Sequence, residues 1–454
     1  MNSFLFTVLS FVVALGILIS VHEYGHFWVA RKLGVKVLRF SIGFGKALWQ
    51  RTGKVDGTEY VLAAVPLGGY VKMLDEREGE VSAQERHRAF NRQTLKVRSA
   101  IVVAGPAANF LFAIMAFWLI FVLGDSGTRP WVGEVERDSI AYAAGFLPDD
   151  ELLAIGDRST PTWETAVYAL LAESVDEGVL QVRVLGSDGI ERIRLLPAES
   201  LASLAEDGRI LQGIGLSPKR PMVPPMIGQV IPGEAAHLAG IETGDLVLAA
   251  NEEAVATWAE LVSLIRDRPG KTITLKVERG AEHLSIPVIV GSREENGQFY
   301  GRIGAAVQVP EGLYDDYRSE IRLGPVAAAG AAVSKTWDMS VFMLKILGRM
   351  LTGKTSVKNL SGPISIAQSA GKSASYGLVY FVKFLALVSI SLGVLNLLPV
   401  PVLDGGHLFF FLMEAVKGAP LSEQFLMQGQ RIGLVILLAL MGLAFYVDLS
   451  RLLG

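Results

Sequence analysis

Cysteine is absent from all 454 residues, which excludes disulfides, thiol catalysis, iron–sulfur clusters and every cysteine-bearing zinc site. Any metal must be held by histidine and carboxylate side chains. Histidine is scarce too: His22, His26, His87, His237, His283 and His407 are the whole supply. Charge is also thin. Only 19% of residues are charged against 51% hydrophobic, with a mean hydropathy of +0.40, a balance that leaves part of the chain to be solvated by lipid. The 42 Lys and Arg nearly cancel the 45 Asp and Glu to a formal net charge of −3, so no basic excess marks a nucleic-acid partner.

What is present begins with apolar runs. A bilayer core needs about 20 apolar residues in a helix, and four segments supply them: 1–30, with its run starting at Phe4; 98–124; 376–407, apolar from Leu378 to Leu398; and 427–448, shortened by Arg431. No basic residue precedes the first run and no small-residue cleavage site follows it, so it reads as a retained span rather than a signal peptide. Residues 31–97 hold 13 Lys or Arg against 7 Asp or Glu, and the positive-inside rule places them in the cytoplasm. Both termini and the long segment between the second and third spans then face outward, and the carboxyl-terminal ends of spans one and three share the cytoplasmic side. Within 323–375, Lys335, Asp338, Lys345 and Arg349 recur at helical spacing among apolar residues, which suggests an amphipathic helix in the membrane interface.

The outward segment repeats itself. Gly133, Val135, Ala141, Gly145, Asp150, Leu153 and Trp163 return as Gly228, Val230, Ala236, Gly240, Asp245, Leu248 and Trp258, each displaced by 95 residues. Each copy reads as strand, small-residue helix turn, glycine-and-aspartate turn, strand, amphipathic helix and a β-rich end. The pattern resembles PDZ domains in tandem, at 127–219 and 222–310. Such folds bind extended peptides by strand addition; the alternative is a pair of spacers or a steric collar with closed grooves.

The chemistry concentrates at His22-Glu23-Tyr24-Gly25-His26, an HExxH sequence. On a helix the i and i+4 spacing puts both imidazoles on one face to bind one zinc ion, with Glu23 beside them. The alternative is a snorkelling helix end. An ionisable cluster inside an apolar span carries a desolvation cost and is a functional-site hypothesis by default. A catalytic zinc needs a third protein ligand. His237 and His283 fall on the outward side and His87 in a polar cytoplasmic stretch. The end of the third span reads Asn396-Leu-Leu-Pro399-Val-Pro401-Val-Leu-Asp404-Gly-Gly-His407. The prolines stop the helix, and Gly405 and Gly406 permit a tight turn that brings Asp404 inward. Asp404 is the expected third ligand, with His407 the alternative or a supporting residue of the loop.

Two further segments stand out. Ser41-Ile-Gly43-Phe-Gly45 and Tyr60 to Met73, containing Pro66, Gly68, Gly69 and Tyr70, are strand-like, glycine-punctuated and too apolar for a solvated loop. They are read as a β-hairpin, either re-entrant beside the site or packed on the bilayer surface. Gly105-Pro-Ala-Ala-Asn109 in the second span reads as either an active-site neighbour or a helix-packing motif, with packing favoured and Asn109 close to the site.

HExxH on one span and N-x-x-P-x-P-x-L-D-G on another together resemble the site-2 protease family of intramembrane zinc metalloproteases, in its tandem-PDZ branch, over most of the chain. The resemblance implies a multi-pass α-helical membrane protein with four transmembrane helices, two inserted PDZ-like α/β domains and a membrane-associated β-hairpin. It implies one Zn2+ per chain on His22, His26 and Asp404, Glu23 as the catalytic glutamate, and Asn396 holding the substrate strand. Gly43, Gly45, Gly68, Gly69 and Tyr70 would help bind substrate, and Pro399, Pro401 and Asn109 would be structural near the site. The implied activity is cleavage of single-span membrane proteins in a bacterial inner membrane near its cytoplasmic side. The expected substrates are an anti-sigma factor already trimmed on its outer side, and signal-peptide remnants. A non-catalytic PDZ scaffold with structural zinc is the alternative; a divalent-metal transporter is disfavoured because no acidic or histidine run lines several spans.

Overall fold

Apolar runs too long for a soluble core become helices in the computed structural model, which describes residues 3–453 apart from 55, 174–177, 199–200, 202–203, 205–209, 296–297 and 353–361. The chain forms two units, Met1–Asp125 with Glu320–Gly454, and Ser126–Ser319. In the first unit lie α1 (Ser3–Lys32), β1 (Val37–Thr52), β2 (Glu59–Met73), α2 (Leu95–Leu123), α3 (Pro325–Leu351), α4 (Pro363–Tyr376), α5 (Leu378–Asn396), α6 (Asp404–Lys417) and α7 (Glu423–Leu453). Among the described residues, the helices long and apolar enough to cross a membrane are α1, α2, α5 and α7. Phe4, Leu5, Ile432, Val435 and Leu438 are exposed on α1 and α7, as expected of faces that meet lipid.

Local chemistry sets the ends of these helices. The Thr94 hydroxyl accepts the Val97 N–H at the start of α2, satisfying an orphan donor. Gly418 ends α6 in the left-handed conformation, the usual glycine stop. The start of α4 has a glycine at the cap and no cap side chain of its own. Asp448 of α7 takes that role, accepting the Gly362, Ile364 and Ser365 N–H groups at 3.1, 2.9 and 3.1 Å.

Small residues let the helices approach closely. Ala113, Phe117 and Ile120 of α2 form one cluster with Ala328 and Ala332 of α3 and Ala386 and Ile390 of α5. Ala14 and Leu18 of α1 pack with Leu385 of α5. The expected helical region 323–375 holds two helices, α3 packed into this core and α4 against α1; residues 353–361 lie outside the described set.

The expected hairpin is more folded than a hairpin. Residues Arg39 to Ile42 register against Lys72 to Gly69 on one side and against Glu59 to Leu62 on the other, while 47–52 register against 59–63. The two strands therefore make a four-segment sheet. Glycine permits this: Gly43, Gly45 and Gly68 have φ of 91°, 85° and 145°, where a side chain would be strained, so each strand bends sharply midway.

The second unit realises the 95-residue repeat. Strands Arg158–Ser159, Glu151–Ile155, Val179–Leu185 and Glu191–Pro197 make one sheet in that spatial order, and Glu253–Ala254, Leu246–Ala250, Thr272–Arg279 and Glu282–Ile289 make its counterpart. Each copy adds a strand pair, Val132–Val135 with Leu216–Pro218 and Ile227–Val230 with Ala305–Val307, and a helix, Trp163–Glu173 or Trp258–Arg266. Each copy has its own apolar cluster.

The repeated residues have physical reasons to recur. A Cβ on Gly133 or Gly228 would stand 2.8 Å from the Cα of Lys219 or Gln308, the residue just past the paired strand. Asp150 and Asp245 are buried and accept the Leu147 and Glu242 N–H groups at 3.0 and 2.9 Å, closing the same turn. Arg194 pairs with Asp150 at 3.2 Å, and Arg279 with Asp245 at 2.7 Å. Burial by itself would raise the Asp245 carboxyl, but the Arg279 guanidinium and the Glu242 N–H hold it below its ordinary value. A depressed carboxylate contributes stability above its unfolded pKa and loses it as pH falls through the folded value. Asp245→Ala should therefore destabilise the second copy by about 1.5–3 kcal/mol at neutral pH in denaturant unfolding, and the difference from wild type should shrink below about pH 4.

Candidate active site

Three elements of the first unit build the site. Helix α1 presents His22, Glu23 and His26, and α6 opens with Asp404. His22 Nε2 lies 3.2 Å from His26 Nε2 and 3.3 Å from Asp404 Oδ2; His26 Nε2 lies 3.5 Å from the same oxygen. Among the described residues this trio is the one group of three such side chains able to hold a metal ion.

The donor chemistry fits a cation at its centre. His26 Nδ1 is 2.8 Å from the Ile101 carbonyl, which only accepts, so that nitrogen carries the proton and Nε2 keeps its lone pair. Asp404 Oδ2 is buried with no hydrogen-bond partner among the described residues. Three lone-pair atoms crowded together repel one another unless a cation lies between them. Tetrahedral zinc at about 2.0–2.1 Å from each ligand separates ligand atoms by about 3.3–3.4 Å, and the observed 3.2–3.5 Å edges match. Zn2+ fits this set.

Helix α2 brings the site together. A Cβ on Gly25 would fall 2.2 Å from the Ala104 carbonyl oxygen, and one on Gly105 would fall 2.2 Å from His26 Nε2 and 2.8 Å from His22 Cε1. The two glycines let α1 and α2 touch where the histidines stand. Asn109, also on α2, places its amide nitrogen 3.1 Å from His22 Nδ1. Both ends of the Gly105 to Asn109 motif touch the histidine rings while Gly105 also serves the helix contact, so the motif combines the two readings given it, active-site neighbour and helix packing.

The other expected residues divide into two sets. Gly69 is at the site: a Cβ there would meet the Glu23 Cγ at 2.9 Å and the Ser41 carbonyl oxygen at 2.8 Å. Gly43, Gly45 and Gly68 shape the bends, and Gly68 leaves room for the Phe44 ring, which stacks on Tyr70 with centroids 6.1 Å apart. The Tyr70 hydroxyl accepts Arg39 Nη1 at 3.3 Å. Asn396 is the last residue of α5, half-buried, and Pro399 and Pro401 lie in the connection to α6.

Gly405 and Gly406 are not the tight turn expected of them. They form the first turn of α6, where Cβ atoms would strike the Leu398 and Val400 carbonyl oxygens at 2.2 and 2.4 Å; the need is for close backbone approach rather than an unusual φ. His407 follows on α6 outside the metal-holding trio, and His87 sits in the short helix Arg86–Arg88. The Ile101 carbonyl could not be read from the sequence, because a backbone carbonyl leaves no sign there.

A candidate metal centre carried by the spanning helix α1, backed by the spanning helix α2 and completed by Asp404 of α6, defines the class as an intramembrane metalloprotease. The model of peptidase family M50 matches residues 10–440, and the chain belongs to that family, the site-2 zinc metalloproteases. It is 46% identical over 454 residues to "Regulator of sigma-E protease RseP" of Escherichia coli (strain K12) and 44% identical over 458 residues to "Protease RseP" of Yersinia pestis, covering all of both chains in each case. The Haemophilus influenzae protein named "Regulator of sigma E protease" is 41% identical over 451 residues, 99% of this chain and 100% of that one. Membership in this family makes the chain a zinc protease and removes support from the scaffold and transporter readings.

Gly105→Ala tests the helix contact. The added methyl must push His26 aside, so zinc content of the purified protein should fall well below one per chain and proteolytic activity should drop at least about tenfold, measured by metal analysis and cleavage of a tagged single-span substrate.

Proposed function

We propose that this protease cuts the transmembrane segments of single-span membrane proteins, near the cytoplasmic face of a bacterial inner membrane. The observation that carries the reading is the convergence of His22 and His26, on the membrane-spanning helix α1, with Asp404 at the start of α6, and Glu23 beside them. His22, His26 and Asp404 would hold a zinc ion, which would supply Lewis acidity for the scissile carbonyl and for water. Glu23 accepts the proton of the attacking water and delivers it to the leaving amine. Its position against Gly69 ties the base to β2.

A transmembrane substrate hides its carbonyls in i to i−4 hydrogen bonds and must unwind before attack. Residues 69–73 pair with 37–42 on one side, and no strand among the described residues pairs with the other. That edge, with Gly68, Gly69 and Tyr70, is suited to hold the unwound segment by strand addition, with Asn396 as a further polar anchor. Relatives named for regulating sigma-E point to an anti-sigma factor as substrate, with signal-peptide remnants as others. In the topology read from loop charge, both termini and the two repeats are periplasmic. The repeats, as PDZ-like domains 127–219 and 222–310, act as a size filter against substrates with bulky outer domains.

Two experiments test this. In cells expressing a tagged single-span substrate, Glu23→Gln should lower cleavage by about 10²–10⁴ while zinc stays near one per chain, whereas Asp404→Ala should lose the zinc; unchanged cleavage in Glu23→Gln rejects its role as base. Deleting 127–310 should permit cleavage of a substrate whose outer domain is intact, and continued resistance of that substrate puts the filter elsewhere.

A further inference from the structure

We infer that Asn109 is a positioning residue for the metal centre, its amide oxygen accepting the Nδ1 proton of His22 and so fixing the tautomer that turns Nε2 toward the metal. The inference rests on His22, His26 and Asp404 being the zinc ligands.

Asn109 is 0% exposed on α2. Its Nδ2 lies 3.1 Å from His22 Nδ1, while its Oδ1 is buried with no partner among the described residues. His22 Nε2 faces His26 Nε2 and Asp404 Oδ2 at 3.2 and 3.3 Å, so its lone pair must point at the metal. A neutral imidazole then carries its one proton on Nδ1, and a proton there requires an acceptor. An asparagine amide exchanges oxygen and nitrogen by a half-turn with no change of shape, and its orientation is assigned from the hydrogen-bond network. With Oδ1 toward the ring, the Nδ1 proton has its acceptor and the orphaned oxygen has its donor.

The same logic already operates on the neighbouring ring, where His26 Nδ1 donates to the Ile101 carbonyl. Helix α2 thus holds both imidazoles from behind, one through its backbone and one through a side chain. Asn109 is itself anchored, because the buried Ser389 hydroxyl of α5 donates to the Asn109 carbonyl at 2.9 Å. A neutral amide suits this depth: it orients the ring without adding another buried charge.

The test measures zinc affinity of the full-length protein in detergent by chelator competition. Asn109→Leu keeps the branched shape of the side chain, with bulkier ends, and cannot accept a proton, and should weaken zinc binding about tenfold to a hundredfold. Asn109→Asp restores an acceptor and should bind at least as tightly as wild type. Ser389→Ala perturbs the α2–α5 contact without touching the amide and should keep wild-type affinity. Wild-type affinity in Asn109→Leu, an Asn109→Asp as weak as Asn109→Leu, or an equal loss in Ser389→Ala overturns the inference. Should Asn109→Leu not fold, ring 15N shifts of zinc-loaded wild type decide it: a protonated, hydrogen-bonded His22 Nδ1 supports the role, and an unprotonated one rejects it. A wild-type protein that binds no zinc rejects the metal-centre reading itself, whereas zinc bound equally by wild type and Asn109→Leu removes only the role of Asn109.

Discussion

The close contact of α1 with α2 is the constraint on which the rest of the membrane unit depends. The HExxH turn would be a row of polar groups facing lipid if α2 stood at an ordinary helix-packing distance. Gly25 and Gly105 remove the two side chains that would hold the helices apart; the space at Gly25 is filled by the Ala104 backbone of α2 and the space at Gly105 by the imidazole rings. Close approach then supplies hydrogen bonds as well as shielding, since Ile101 and Asn109 of α2 both come within reach of ring nitrogens. In a medium without water to satisfy stray polar groups, packing and chemistry are the same requirement.

Polar satisfaction at a distance recurs through the unit. Asp448 on α7 caps α4, whose own cap position is glycine. Arg98 at the start of α2 pairs with the buried Glu414 of α6 at 2.6 Å, which ties the helix carrying Asp404 to the helix backing the histidines. Such pairs cost desolvation and are weak evidence of net stability, but leaving one partner unpaired in this environment costs more. They therefore act as registry devices, fixing which helix turn meets which, and a metal centre assembled from α1 and α6 needs that registry.

What could be read from the sequence follows from how local each signal is. His22, Glu23 and His26 lie within five residues and one helix period makes them converge, so the motif is visible without a fold. Asp404 needed only the topology of the spans and the proline stop before it. The repeat was visible because a constant displacement of 95 residues survives as buried Asp150 and Asp245 and the strand-contact glycines Gly133 and Gly228. The four-segment sheet was not visible: glycines at 43, 45 and 68 mark bends, but which segment pairs with which is set by long-range registry. Gly405 and Gly406 misled for a related reason, because glycine signals both unusual φ and close backbone approach, and only the neighbouring Leu398 and Val400 carbonyls decide between them.

The choice of aspartate as the third ligand can be argued from charge. Two neutral imidazoles, one ionised Asp404 and an ionised Glu23 balance a divalent cation to a formally neutral cluster. With His407 as third ligand the same cluster would carry a net positive charge at membrane depth, where an uncompensated charge is costly. The absence of cysteine closes the remaining route to a compensating anionic ligand other than carboxylate. A site of this kind, buried in lipid and built without thiolates, is therefore driven toward one carboxylate ligand and one carboxylate base. On the proposed reading the two roles divide by position: Asp404 Oδ2 points into the histidine pair, and Glu23 lies against the Gly69 strand, the edge proposed to hold an extended substrate.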